Sequence, residues 1–368
     1  MTLSTIKSPE EIRRLKNFKR GIDFTILIVG EEGIGKSSFI NCLCQKTVIP
    51  PNMDQVNPVN ASLNSDLRIE KIHVDIVEEN STPISLNLIL APGFGENIDN
   101  SLATAKIVKY LELQFDLVLK EEYKIERNQN FKDGRPHAAL YFIRATSKGL
   151  RELDIEVMKE LSKRCNLIPV IGKADSLTSE ELVLNRRLIF SDIKRNDIKI
   201  YDFGNNDTGF EQIDELNIFE NCLPFAVSGS YETKQIKGSI VHVREYPWGT
   251  FKVEDVKHND FTLLRNVLFG SHLQELKEST SVMIYEKYRK AKLRNSVPKF
   301  ANGELKIAQS PQGYEDPTIY STEMETGKSG NELENQLKDL MNKKKLLETY
   351  TNEVKLLEEK LHIASLEG

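Results

Sequence analysis

Eight consecutive residues, Gly30-Glu31-Glu32-Gly33-Ile34-Gly35-Lys36-Ser37, satisfy the pattern GxxxxGK[ST] that cradles a polyphosphate. In such a loop the backbone N–H groups of residues 32–37 point into one concavity at the positive end of the following helix. Lys36 would reach the β- and γ-phosphates, the Ser37 hydroxyl would hold Mg2+, and Ser38 continues the helix start. A phosphate loop does not choose a base. Gly172-Lys173-Ala174-Asp175 follows the apolar run NLIPVI. There the Asp175 carboxylate could accept from guanine N1–H and the 2-amino group, which adenine does not offer, while the Lys173 stem packs across the ring. Ser228-Gly229 after a further apolar run, LPFAV, completes an order that favours GTP or GDP over ATP.

These loops need a scaffold that brings them to one edge. Short β-rich runs, FTILIVG, IHVDIV, LNLIL, AALYFIR, NLIPVIG and LPFAVSG, alternate with amphipathic segments at 36–45, 99–120, 151–164 and 179–195. Alternation of this kind predicts an α/β fold, a P-loop GTPase-like, mostly parallel sheet with helices on both faces. A nucleotide domain over 21–293 follows, closed by a helical stretch after Phe261. Residues 294–330 are rich in Pro, Gly, Ser and Asn and carry no apolar period, as expected of a linker. In 331–368, Leu333, Leu340, Leu347, Val354 and Leu361 fall seven apart, which predicts a short coiled coil that needs a partner helix. The companion position is poorer, so a solvated helix with one apolar stripe is the alternative.

Composition narrows the class. The 368 residues carry 50 Lys+Arg against 55 Asp+Glu, a net charge of −5 that excludes nucleic-acid binding through bulk positive charge. The longest apolar runs are strand-sized, well short of the roughly 18 residues that cross a bilayer. Cys42, Cys44, Cys165 and Cys222 show neither metal-ligand nor disulfide spacing, and a reducing, cytoplasmic setting is expected. Residues 1–20 run against the overall acidity: Lys7, Arg13, Arg14, Lys16, Lys19 and Arg20 face only Glu10 and Glu11, a local balance of +4.

The order of GEEGIGKSS, APGFGENIDN, ALYFIRATSKGLRELDIEVMKELS, NLIPVIGKAD, PFAVSGS and VREYPWGTFKVED closely resembles the septins, guanine-nucleotide-binding proteins that polymerise into filaments. The resemblance spans about residues 12–290. It implies a cytoskeletal subunit that pairs with other septins, with roles in cytokinesis, septum or spore formation. Two departures stand out. The family's Asp-Thr-Pro-Gly element is Leu90-Ala91-Pro92-Gly93 here; Gly93 survives, but the acid that helps hold Mg2+ does not. No Thr occurs from Val48 to Ser81, where active septins place a switch Thr, and the position that aligns with it lies near Asp66. Asp75 or Glu96 could in principle replace the lost acid. Weak or absent hydrolysis is therefore expected, against the alternatives of an active GTPase switch and of a membrane adaptor that never polymerises.

The resemblance also implies a subunit interface across the nucleotide face. Arg244 would stack on or bond the base, and Lys148, Glu181 and Trp248 would meet the partner. Lys148 stands where septins commonly have His. Trp248 is expected as an interface anchor, with core packing as the alternative. The segment holding Arg13, Arg14, Lys16, Lys19 and Arg20 matches the family's polybasic helix, which implies attraction to anionic phosphoinositide surfaces at the plasma membrane, division site or prospore membrane. A merely solvated basic face is the alternative.

Overall fold

The computed structural model describes residues 21–50, 68–77, 82–95, 100–128, 131–146, 148–203, 222–236 and 239–296. The basic segment 1–20, Asp66, Glu96, the coil 331–368 and all but the first three residues of the expected linker lie outside them. Six strands, β1 (Ile22–Gly30), β2 (Glu70–Ile76), β3 (Ile84–Leu90), β4 (Ala138–Arg144), β5 (Leu167–Gly172) and β6 (Phe225–Val227), form one sheet. Its order is β2-β3-β1-β4-β5-β6. Every pairing is parallel except β2 with β3, whose register sets Glu70 opposite Leu90.

β1 is apolar without alternation because both its faces are covered. Phe24, Ile26 and Ile28 enter one core with Phe39 and Leu43 of α1 (Lys36–Cys44). Leu264, Leu268 and Leu276 complete that face; they come from α5 (Phe261–Asn266), α6 (Leu273–Glu278) and the π turn Val267–Ser271 between them. Leu27 and Val29 enter the opposite core with α2 (Ser101–Tyr123), α3 (Glu152–Ser162) and α4 (Ser179–Arg195), through Leu111, Met158 and Ile189 among others. A second π turn, Ser279–Ile284, leads into α7 (Tyr285–Ser296). No helix among the described residues is long and apolar enough to cross a membrane.

The sequence reading did not mark a second sheet, the antiparallel β7 (Thr233–Ile236), β8 (Ser239–Tyr246) and β9 (Gly249–Lys252). β7 and β9 are four residues each and mostly exposed, and β8 mixes polar residues among its apolar ones, so no apolar run announces them. In the main sheet, β1 lies between β3 and β4, and the carboxyl ends of the parallel strands release their loops on one edge. That reversal of strand order is where α/β sheets bind ligands.

Candidate nucleotide-binding site

Gly30 ends β1 opposite Phe142 of β4, and any Cβ on it would lie 2.7 Å from the Phe142 Cβ. A side chain there would force the strands apart, so the loop can leave the sheet edge only through glycine. Gly33 and Gly35 adopt positive φ of 71° and 100°, and Gly35 caps α1 in the left-handed region. Ser37 and Ser38 thereby fall in the first turn of α1, where the helix N–H groups are not used internally. The Lys36 ammonium is buried and arches back over the loop, donating to the Gly30 carbonyl at 2.7 Å and the Glu31 carbonyl at 2.6 Å.

Two further loops close on this one. The Lys173 stem lies over Gly35, within 3.6 Å of where a Cβ would sit, and Lys173 itself takes a positive φ of 53°. Gly229 abuts the start of α1: a Cβ there would lie 2.7 Å from the Phe39 nitrogen. Gly35, Ser38, Lys173, Gly229 and Arg244 thus line one cleft.

Asp175, with its side chain 3% exposed, faces three donors. The Ser228 hydroxyl donates to Oδ1 at 2.5 Å, and Arg244 Nη1 to Oδ2 at 3.0 Å. The Tyr246 hydroxyl also donates to Oδ2. Burial first, then Asp175, push the Tyr246 phenol up to about 12, so it stays a donor at neutral pH. Arg244, expected at the base, is ion-paired to Asp175. Trp248 is 82% exposed and stacks on Tyr246, ring centroids 4.9 Å apart, so it packs in no core.

Lys148, Glu181 and Gly93 do not line that cleft. Lys148 is exposed beyond β4, its carbonyl accepting from the Asn185 amide at 2.9 Å. Glu181 is exposed and serves its own helix: its carboxylate accepts from the Thr178 N–H at 2.9 Å in a capping box that starts α4. Gly93 lies in the turn after β3 with a φ of 75°.

Leu90 is 7% exposed and belongs to the apolar cluster of Ile28, Ile34 and Phe39. Asp75 does not replace the missing acid. It sits opposite Ser85, five residues back along β3, or about 17 Å away at the rise of a strand.

Sequence reasoning missed two supports. Glu31, the second residue of the phosphate loop, is ion-paired to Arg151 and, at 2.9 Å, to Arg144. Arg151 bonds in turn to Asp154, whose Oδ1 accepts from the buried Tyr141 hydroxyl at 2.7 Å. The chain therefore ties the loop to β4 and α3. Gly95 closes over Glu31, where a Cβ would lie 2.8 Å from the Glu31 Cγ. Asn259 holds the other side: its Oδ1 accepts from the Ser228 N–H at 3.1 Å and its amide donates to the Ser228 and Val253 carbonyls. The partners are distant in sequence, so no local motif betrays either network. Cys42 and Cys44 are buried in α1, their thiols pushed up to about 11, chiefly by burial, so they are packing residues at neutral pH.

A glycine-built phosphate loop at the switch point of a parallel sheet, with an acid-bearing base loop beside it, defines a P-loop nucleotide-binding protein of the GTPase-like α/β class. A sequence profile described as Septin matches residues 20–302, and Cell division control protein 11 of Saccharomyces cerevisiae is 41% identical over 288 residues, spanning 77% of this chain and 69% of that protein. The chain belongs to the septin family, and so is a cytoskeletal, guanine-nucleotide-binding subunit of the kind that assembles with other septins. Septin homolog spn3 of Schizosaccharomyces pombe is 41% identical over 286 residues, 76% of each chain. Sporulation-regulated protein 28 of S. cerevisiae is 36% identical over 321 residues, 77% of this chain and 76% of that one. The crystal structure of Cdc11 from S. cerevisiae covers 74% of this chain and 100% of its own at 33% identity, with a TM-score of 0.48.

Proposed function

We propose that this septin holds GTP or GDP as a structural ligand within hetero-oligomers and hydrolyses it slowly or not at all. The observation that carries the reading is Leu90. Phosphoryl transfer in P-loop proteins depends on positioning and on charge stabilisation around a metal, and the protein acid that helps hold that metal is replaced by a buried hydrocarbon. Lys36, the loop N–H groups and the first turn of α1 are assigned to the phosphates, and Asp175 to guanine; a bound phosphate would draw the Lys36 ammonium from the Gly30 and Glu31 carbonyls. Ser37 is the residue that would hold Mg2+, which when bound neutralises phosphate charge. With leucine at position 90, a metal held by Ser37 would have one protein oxygen fewer near it than an ordinary P-loop site supplies. Single-turnover hydrolysis by purified protein tests this: the expected result is no measurable turnover while nucleotide stays bound, and a rate like that of ordinary septins contradicts it.

Arg244, Lys148, Glu181 and the exposed Trp248 are assigned to the partner-facing surface, and a relative named for septation and one named for sporulation suggest use at a division site or forming spore membrane. Arg13, Arg14, Lys16, Lys19 and Arg20 are assigned to recruitment by anionic phosphoinositides, each cation adding about 1 kcal/mol near such a surface.

A further inference from the structure

We propose that Tyr246 is a gate on the base-reading carboxylate, so that guanine entry displaces its hydroxyl from Asp175 and shifts Trp248 on the second sheet. This rests on the guanine reading of the site. A carboxylate offers about four acceptor positions. Asp175 already accepts from Ser228, Arg244 and Tyr246, and guanine would bring two more donors, N1–H and the 2-amino group. Five donors exceed four positions, and one must leave.

Ser228 is fixed, because it also accepts from the Asp175 N–H at 3.1 Å and its backbone is clamped by Asn259. Arg244 carries a full charge and five donors, so it keeps a charge-assisted bond while adjusting its reach. Tyr246 brings no charge of its own, so its bond to the carboxylate lacks the ion-pair attraction that Arg244 adds. Its hydroxyl cannot swing away on a flexible stem; the ring must move. That ring lies 6° from coplanar with Trp248, so the movement passes to an exposed indole at the β8–β9 turn. Base occupancy is thereby written onto a surface of the small sheet.

The chain holds one tryptophan, which makes the readout unambiguous. Full-length protein stripped of nucleotide is titrated with GDP, and with ADP as control. Intrinsic tryptophan emission and bound radiolabelled nucleotide are followed together. The expected result is an emission change with the same midpoint as GDP binding, and none with ADP. Tyr246→Phe removes the competing donor and should bind GDP about three- to tenfold more tightly, with a smaller emission change. GDP binding with unchanged emission, or weaker binding by a folded Tyr246→Phe, overturns the gate and leaves the guanine reading standing. Failure of the wild-type protein to bind GDP at all overturns both. If Tyr246→Phe does not fold, the wild-type emission titration decides alone.

Discussion

His137 is 6% exposed at the amino-terminal end of β4, where its Nδ1 accepts the Thr25 N–H at 2.9 Å and its ring stacks on Phe24. Burial holds its pKa down to about 4; Asp133 opposes this, while Lys277 and Arg135 reinforce it. The unfolded chain takes up this proton near pH 6.5 and the folded chain only near 4. The neutral imidazole therefore contributes stability that is complete above pH 6.5 and is lost as pH falls towards 4, on the order of 3 kcal/mol in all. Urea midpoints measured across that window should fall steeply for the native protein. For His137→Gln the fall should be shallower, whatever its stability at neutral pH. Equal slopes would show that other groups carry the acid sensitivity. Leu90 is the converse case at the same scale. Its type could be read directly from the sequence as a lost acid, but that Asp75 cannot stand in follows only from the strand register, which sets Asp75 opposite Ser85 at the far end of the pair.

Between elements, the site is assembled by close backbone approaches that admit no side chain. Gly229 is the clearest, since a Cβ there meets Ser38 and Phe39 backbone within 2.7–2.8 Å and neither can yield as a flexible side-chain end would. Gly229→Ala should push the loop after β6 off α1, costing about 1–3 kcal/mol as overpacking does and weakening nucleotide retention. Thermal denaturation with and without added GDP reads both effects, and an unchanged Tm would refute the packing argument. The main sheet and its helices were legible in the sequence because buried parallel strands and amphipathic helices leave strong periodic signals. The β7–β9 sheet and the two π turns were not. β7 and β9 are short and lie at the surface, β8 carries interspersed polar residues, and the π turn Ser279–Ile284 is latched by distant groups. The Ser279 hydroxyl donates to the Asn166 Oδ1 at 2.8 Å, and the Asn166 amide donates to the Thr280 hydroxyl at 3.1 Å. The Glu31 clamp was hidden for the same reason, with Arg144 and Arg151 more than a hundred residues along the chain.

For the molecule as a whole, the net charge of −5 conceals an amino terminus of +4. Reversing Arg13, Arg14, Lys16, Lys19 and Arg20 to Glu should abolish sedimentation with phosphoinositide-containing liposomes at physiological salt. The native protein's binding should weaken as salt rises. Liposome binding unaltered by the reversal would remove the membrane role and leave the nucleotide site untouched. Whether a guanine nucleotide is kept as part of the structure is read by denaturing freshly purified protein and separating the released nucleotide by chromatography. The prediction is GTP or GDP in close to stoichiometric amount, lost in Lys36→Ala. An empty eluate, or adenine nucleotide in its place, would contradict it.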